Sequence, residues 1–481
     1  MRKVLPVVVA LGIAASLLSC GGSSDDSSGD PEPTEAPAQP SAPATDVPVT
    51  DSTSAGDDGV LQVPEEFGSI QEAVDAAGAG DLVLISEGTY FEAVQVTTND
   101  IVIRGVDRNK VVLDGRFELD NGFRVVAANG VAIENMTAMN FTKNGFFWTG
   151  STGYRASYLT AWRNGDYGIY AFDSVGGLIE NSYAAGSPDA GFYIGQCYPC
   201  DAVVRNVISE HNGLGYSGTN SGGNLVIVNS VFRFNRAGIV PNSGSYELCY
   251  PQRDSTIVGN LVYSNNQPDT PAIDVAILAM GNGILSAGGV ANVIERNRVY
   301  DHDKTGIGLV PFLEEDANDT IPPREEWSLS CAESKELDVD VPTEALLWDS
   351  IDNVVRDNVL ENNRRADIAV GSAGSDLWTL GNCFSGNQHS TSAPAALETL
   401  APCGSELSSD GDWLDGDLQV ITWLVDAETA PPSVDYRDAV LPDLPTDLEG
   451  MPEASTAPAV PASSTPPVVD VASITVPDPA S

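Results

Sequence analysis

The chain of 481 residues is poor in the side chains from which most metal and nucleophilic centres are built, with three histidines, five methionines and seven cysteines. It shows no Ser/His/Asp triad, no glycine loop of the phosphate-cradling kind and no complete metal motif. Basic residues are scarce too: 23 Lys and Arg stand against 68 Asp and Glu, for a formal net charge of −45. Such a surface stays soluble and repels polyanions, so nucleic acid is not an expected partner. An acidic polysaccharide would need a bridging cation, and calcium is the candidate cofactor. Long apolar runs are also missing. The run from Val4 to Leu18 is too short to span a bilayer as a mature helix.

That run follows Arg2 and Lys3 and stops at Ser19-Cys20, the pattern of an export signal. Leu17-Leu18-Ser19-Cys20 resembles a bacterial lipobox, which implies that residues 1–19 are a lipoprotein signal peptide and that Cys20 becomes an acylated N-terminus. An ordinary signal peptide with an incidental Cys20 is the alternative. The expected location is the cell membrane or cell surface, with a lipid membrane as partner through Cys20. Residues 20–59, rich in Ser, Asp and Pro, read as a disordered tether, and the acidic, Pro/Ala-rich 404–481 as a mostly disordered tail.

Six further cysteines, an even number in an exported chain, allow up to three disulfides: Cys197, Cys200, Cys249, Cys331, Cys383 and Cys403. Cys383 with Cys403 and Cys249 with Cys331 are the preferred pairs. Cys197-Tyr-Pro-Cys200 has the spacing of a redox pair or half a zinc site, but no helix-opening pattern follows it and no second such motif exists.

What the sequence has is a period. Glycines recur at Gly145, Gly168 and Gly191, at Gly215 and Gly238, and at Gly283 and Gly306, with twenty-three residues per step within each group. A short apolar strand follows each, as in Phe146-Phe147-Trp148 and Ile169-Tyr170-Ala171-Phe172. Upstream, a β-branched or aliphatic pair runs into Asn at Asn135, Asn181, Asn206, Asn229, Asn260, Asn297, Asn358 and Asn382. Three short strands per turn with Asn at one corner predict an all-β solenoid, a right-handed parallel β-helix over residues 60–403. Long loops near 243–280 and 310–347 interrupt it. Ser69-Ile70-Gln71-Glu72 is a capping box that opens a short N-terminal helix suited to plug the first coil.

The stretches Asp81–Ile85, Gly88–Val96 and Ile101–Gly105 resemble the opening coils of the pectin-lyase-like superfamily, and the repeat resembles that of right-handed parallel β-helix proteins generally. The likeness runs from about Val60 to Asn387. It implies the fold and leaves a range of activities: polysaccharide lyases, hydrolases, esterases and epimerases, adhesins, and a periplasmic copper-maturation factor. Tyr300-Asp301-His302-Asp303 is similar to the acidic-His motif of mannuronan epimerases but lacks its Pro.

Stacking coils about 4.8 Å apart makes vertical neighbours of residues distant in sequence. Two positions after the glycines stand Phe147, Tyr170 and Tyr193, a candidate sugar-binding row, with an exterior shield as the plain alternative. Two positions before them stand Lys143, Asp166 and Asp189. The two carboxylates must share a cation or a proton, or be neutralised by neighbours. They are the candidate metal and catalytic pair, and a Lys143–Asp166 ladder with Arg236 nearby is the structural alternative. Arg163 and His211 align near the same corner as a candidate charge neutraliser and base. Glu134, Glu180, Arg205 and Arg356 read as rung-to-rung ion pairs. Together these features point to a monomeric surface protein that binds polysaccharide, with lyase, hydrolase or epimerase activity open. A non-catalytic structural or adhesive module is the first rival. A metal-maturation factor is the second, and the scarcity of Met and His disfavours it.

Overall fold

The structure, a computed structural model, describes residues 59–337, 341–372, 375–409, 411–413 and 430–480. The expected signal peptide, Cys20 and nearly all of the expected 20–59 tether lie outside these residues. Among the described residues no helix is long and apolar enough to cross a membrane.

Three parallel sheets form the walls of a solenoid. Sheet A has twelve strands, from Val60–Val63 to Cys383–Ser385; sheet B has ten, from Gly88–Tyr90 to Val359–Glu361; sheet C has eleven, from Val94–Val96 to Ser392–Ala393. The chain visits A, B and C once per coil, and the twenty-three-residue step is the pairing register: Phe146 pairs Ile169, which pairs Phe192. Inward positions stack into columns. In sheet A, Ile133, Ala156, Ile179, Val204, Ile227 and Ile257 lie one above another, each at most 1% exposed. Each aliphatic member of that column removes a side chain from water, worth roughly 1.5–3 kcal/mol.

The recurring glycines answer a steric need. Gly168 lies where sheet B turns into sheet C, and a Cβ there would come within 2.6 Å of the Gly191 carbonyl oxygen and 3.0 Å of the Ala184 Cβ. The corner asparagines divide into two rows. Asn135, Asn181, Asn206 and Asn229 take a left-handed backbone at the end of sheet A. One residue further on, Asn260, Asn297, Asn358 and Asn387 form a buried amide ladder, the backbone N–H of the first three each donating to the next side-chain carbonyl at 2.9–3.0 Å and that of Asn387 to Glu398. Asn382 belongs to another ladder, ahead of sheet A, where it accepts from Asn353. A shared Asn therefore hid a one-residue shift of role.

Helix α1 (Ile70–Ala76) seals the first coil. Ser69 caps it by accepting from the Glu72 N–H at 3.2 Å, and Ile70, Ala73 and Val74 enter the core. The first insertion carries α2 (Asp274–Ala279). The second folds as an antiparallel hairpin, Phe312–Ala317 with Thr343–Trp348, enclosing α3 (Cys331–Leu337). Disulfides join Cys249 to Cys331, tying the insertions together, and Cys383 to Cys403, the two preferred pairs. Cys197 bonds Cys200 within one buried corner.

The expectation of a mostly disordered 404–481 is corrected over residues 430–480. This segment is a strap laid along the solenoid. Apart from short turns such as those after Asp435 and Glu453, the strap is extended, and extended proline-rich chain leaves its carbonyls open to accept. Arginines of the wall supply the donors. Arg236 reaches Pro431 and Pro432, Arg163 reaches Tyr436, Arg437 and Ala439, and Arg108 reaches Glu449. Arg104 takes Ala457 and Pro458, Arg155 takes Val460, Arg296 takes Val471 and Arg298 takes Pro477. Composition showed that the segment cannot bury a core of its own; the missing partner was a row of guanidinium groups on another part of the chain.

Candidate functional site

The outward side chains of sheet C form a file along the solenoid: Gln95, Arg124, Phe147, Tyr170, Tyr193, Ser217 and Val240, one per rung. The predicted trio Phe147, Tyr170 and Tyr193 is thus brought together. The rings do not lie as a flat platform, however. Phe147 stacks on Tyr170 with centroids 4.7 Å apart and planes 14° apart, and Tyr167 covers the other side of Tyr170 at 4.3 Å and 9°. Tyr193 meets both tyrosines steeply, at 4.9 Å and 60–67°. Both faces of Tyr170 are therefore occupied.

Carboxyls surround this column. Asp166 and Asp189 occupy consecutive rungs, the Asp189 N–H donating to the Asp166 carbonyl at 3.1 Å. Asp166 lies 3.5 Å from Lys143, both side chains about two-fifths exposed, so the expected Lys143–Asp166 pair is present. Burial raises the Asp166 carboxyl, Lys143 opposes that, and Asp120 adds to it. Asp189 is pushed up to about 7 by desolvation; its hydrogen bond with Tyr167 works the other way, and Asp166 raises it. A third acid comes from the first insertion. Glu247 accepts from the Tyr193 hydroxyl through Oε1 and is pushed up to about 8, first by burial and then by Asp189. Its Oε2 is buried without a hydrogen-bond partner. The Tyr170 hydroxyl is raised well above its ordinary value by burial, then by Glu247, Asp189 and Asp166.

Tyr167 and Glu247 escaped the sequence reading. Tyr167 occupies a repeat position filled by Asn144 and Ala190 in the neighbouring coils, and Glu247 lies outside the repeat.

Arg163 and His211 do not join the acids, which corrects their assignment as neutraliser and base. The Arg163 guanidinium lies over Trp162 at 4.7 Å and serves the strap. His211 takes the left-handed corner with φ +57°, and its ring sits 5.7 Å from Phe234. Burial lowers its pKa, Glu210 opposing and Arg233 reinforcing. Arg236 likewise turns to the carbonyls of Pro268, Thr270 and the strap. His302 replaces an asparagine in a buried ladder. Its Nδ1 donates to Asn363 at 2.8 Å and its Nε2 accepts from Asn265 at 3.1 Å. A second proton would face an N–H donor, and burial pushes the pKa down to about 4. Among the described residues no group of three or more His, Cys, Asp or Glu is placed to hold a metal ion. Glu134, Glu180 and Arg356 do form rung-to-rung ion pairs, with Arg104 and Arg155, Arg205, and Glu295 respectively.

A family model described as a right handed beta helix region matches residues 144–311. The chain folds as a right-handed parallel β-helix. Among solved structures, this β-helix is similar to the Azotobacter vinelandii mannuronan C-5 epimerase AlgE4 A-module, 15% identical, covering 69% of this chain and 92% of that one at a TM-score of 0.41. An alginate lyase from Paenibacillus sp. str. FPU-7 is 14% identical over 66% of this chain and 96% of its own, at a TM-score of 0.37. The pectate lyase Pel9A is 13% identical over 72% and 81%, at 0.34. No curated protein sequence matches.

Proposed function

We propose that the outward face of sheet C binds polysaccharide and carries out acid–base chemistry on a bound sugar, with Tyr170 as the proton-transferring group. The observation that carries this reading is that Tyr170, stacked with Phe147 and Tyr167, shares its stretch of sheet C with Asp166 and Asp189 on consecutive rungs and with Glu247 bonded to Tyr193 on the next. Burial pushes Asp189 up to about 7 and Glu247 up to about 8, a range that suits a carboxyl acting as acid or base near neutral pH. A file of amide, guanidinium and phenol groups at intervals of about 4.8 Å suits a polyhydroxyl chain. The test is glycan-array binding, followed by an ultraviolet assay for unsaturated uronate on pectin and alginate and by analysis of sugar configuration after incubation. No binding to any glycan removes the reading.

A non-catalytic adhesive module is the second reading, favoured by the Lys143–Asp166 pair and by the mutual covering of the Phe147 and Tyr170 faces. It expects Asp166→Asn with Asp189→Asn to alter stability and leave no lost activity to find. On either reading the protein is anchored at a membrane surface through Cys20, and Cys20→Ser should release it to the soluble fraction.

A further inference from the structure

Exposure along the sheet C file drops between Tyr170 and Tyr193 and stays low beyond. Gln95 is exposed and Arg124, Phe147 and Tyr170 are half-buried, whereas Tyr193 is 1% exposed, Ser217 4%, Val240 1% and Leu285 5%. The change has an identifiable cause. Glu247 of the first insertion is hydrogen-bonded onto Tyr193. Beyond it, Ala276 and Ala279 of α2 pack on Val240 and Leu285 in one buried cluster, with Phe312 of the hairpin against its edge.

The wall is also braced. Asn220 Nδ2 donates to the carbonyls of Gly244 and Glu247, both at 2.6 Å. Ser245 donates to the buried Glu314 of the second insertion, and the Cys249–Cys331 disulfide joins the two. A loop held by a sheet, a hairpin and a disulfide does not swing aside to let a chain continue.

We propose that this face of sheet C is closed at the Tyr193 end and takes the terminal sugars of a polysaccharide chain, not an internal stretch. The proposal rests on the reading of sheet C as a polysaccharide-binding face. An unbroken stack of coils offers a polymer two open directions; here the file runs open from Tyr170 to Gln95 and meets protein on the other side. The reacting sugar then lies at or next to the chain end, because the acid cluster is at the wall. Affinity should rise with oligosaccharide length only until the open rungs are filled, and then level off.

The test uses the full-length protein and the glycan that binds best on the array. Polymer and oligosaccharides of that sugar are titrated calorimetrically at equal numbers of chains. The expected result is one protein per chain end at every length, with Gln95→Ala weakening long oligosaccharides about fivefold and leaving disaccharides unchanged. Several proteins per long chain, or equal affinity for end-free cyclic forms of the same sugar, overturns end recognition and leaves polysaccharide binding standing. Absence of binding to every glycan removes the parent reading instead, and this proposal with it.

Discussion

The Tyr193 hydroxyl donates a hydrogen bond to Glu247, and that contact fixes a loop outside the repeat to a rung within it. Tyr193 stands on the regular lattice of sheet C, whereas Glu247 is placed by the Cys249–Cys331 tie and by Asn220. The cluster is therefore assembled from periodic and aperiodic parts.

Tyr170→Phe removes the hydroxyl and keeps the stacked ring. Proton transfer by a positioned side chain contributes about a hundredfold or more, so turnover of the active glycan should fall by at least that factor while its dissociation constant moves little. Equal turnover in both proteins would exclude Tyr170 from the chemistry.

Asp189 and Glu247 are raised in the folded protein to about 7 and about 8 from ordinary values of 3.8 and 4.5. The folded state therefore binds protons more tightly than the unfolded chain, and this stabilisation is complete below pH 3.8. It is lost as pH rises toward 8. Melting temperature should decline over that interval, and Glu247→Gln, which keeps an acceptor for Tyr193, should flatten its upper part. A melting curve with the same slope in the variant counts against a buried, proton-holding Glu247.

His302 titrates in the opposite sense. Its pKa is lowered to about 4 from 6.5, so its contribution is present above pH 6.5 and lost as pH falls through 4. His302→Asn restores the ladder residue found on neighbouring coils and should remove this acid-side loss. His302→Ala should destabilise by about 1–3 kcal/mol, because Asn265 and Asn363 lose a partner. Chemical denaturation at pH 4 and pH 7 separates the two variants.

Arg104 and Glu134 are 1% and 3% exposed beneath the strap, 2.7 Å apart, whereas Arg205 is 36% exposed beside Glu180. Arg104→Ala leaves a buried carboxylate with only Arg155 and frees the carbonyls of Ala457 and Pro458. A loss of about 3 kcal/mol is expected, with early proteolysis after residue 430. Arg205→Ala should cost less than about 1 kcal/mol. Similar losses for both would mean that the strap adds nothing to the Arg104 site.

The sequence by itself determined the solenoid and the identity of its rungs. A repeat reports whatever every coil needs: glycine where a Cβ would strike the next carbonyl, small polar residues at corners, apolar residues on alternate inward positions. Phe147, Tyr170, Tyr193, Asp166 and Asp189 were legible because equal coils keep equal register. Only the tertiary structure decided what surrounds them. Tyr167 sits at a repeat position where neighbouring coils carry no ring, and Glu247 arrives on an insertion whose path depends on long-range closure. Arg163 turns to a strap more than 260 residues away in sequence. Such contacts have no period. They depend on how segments meet after folding, so alignment of coils placed Arg163 and His211 near the acids while packing sent their side chains elsewhere.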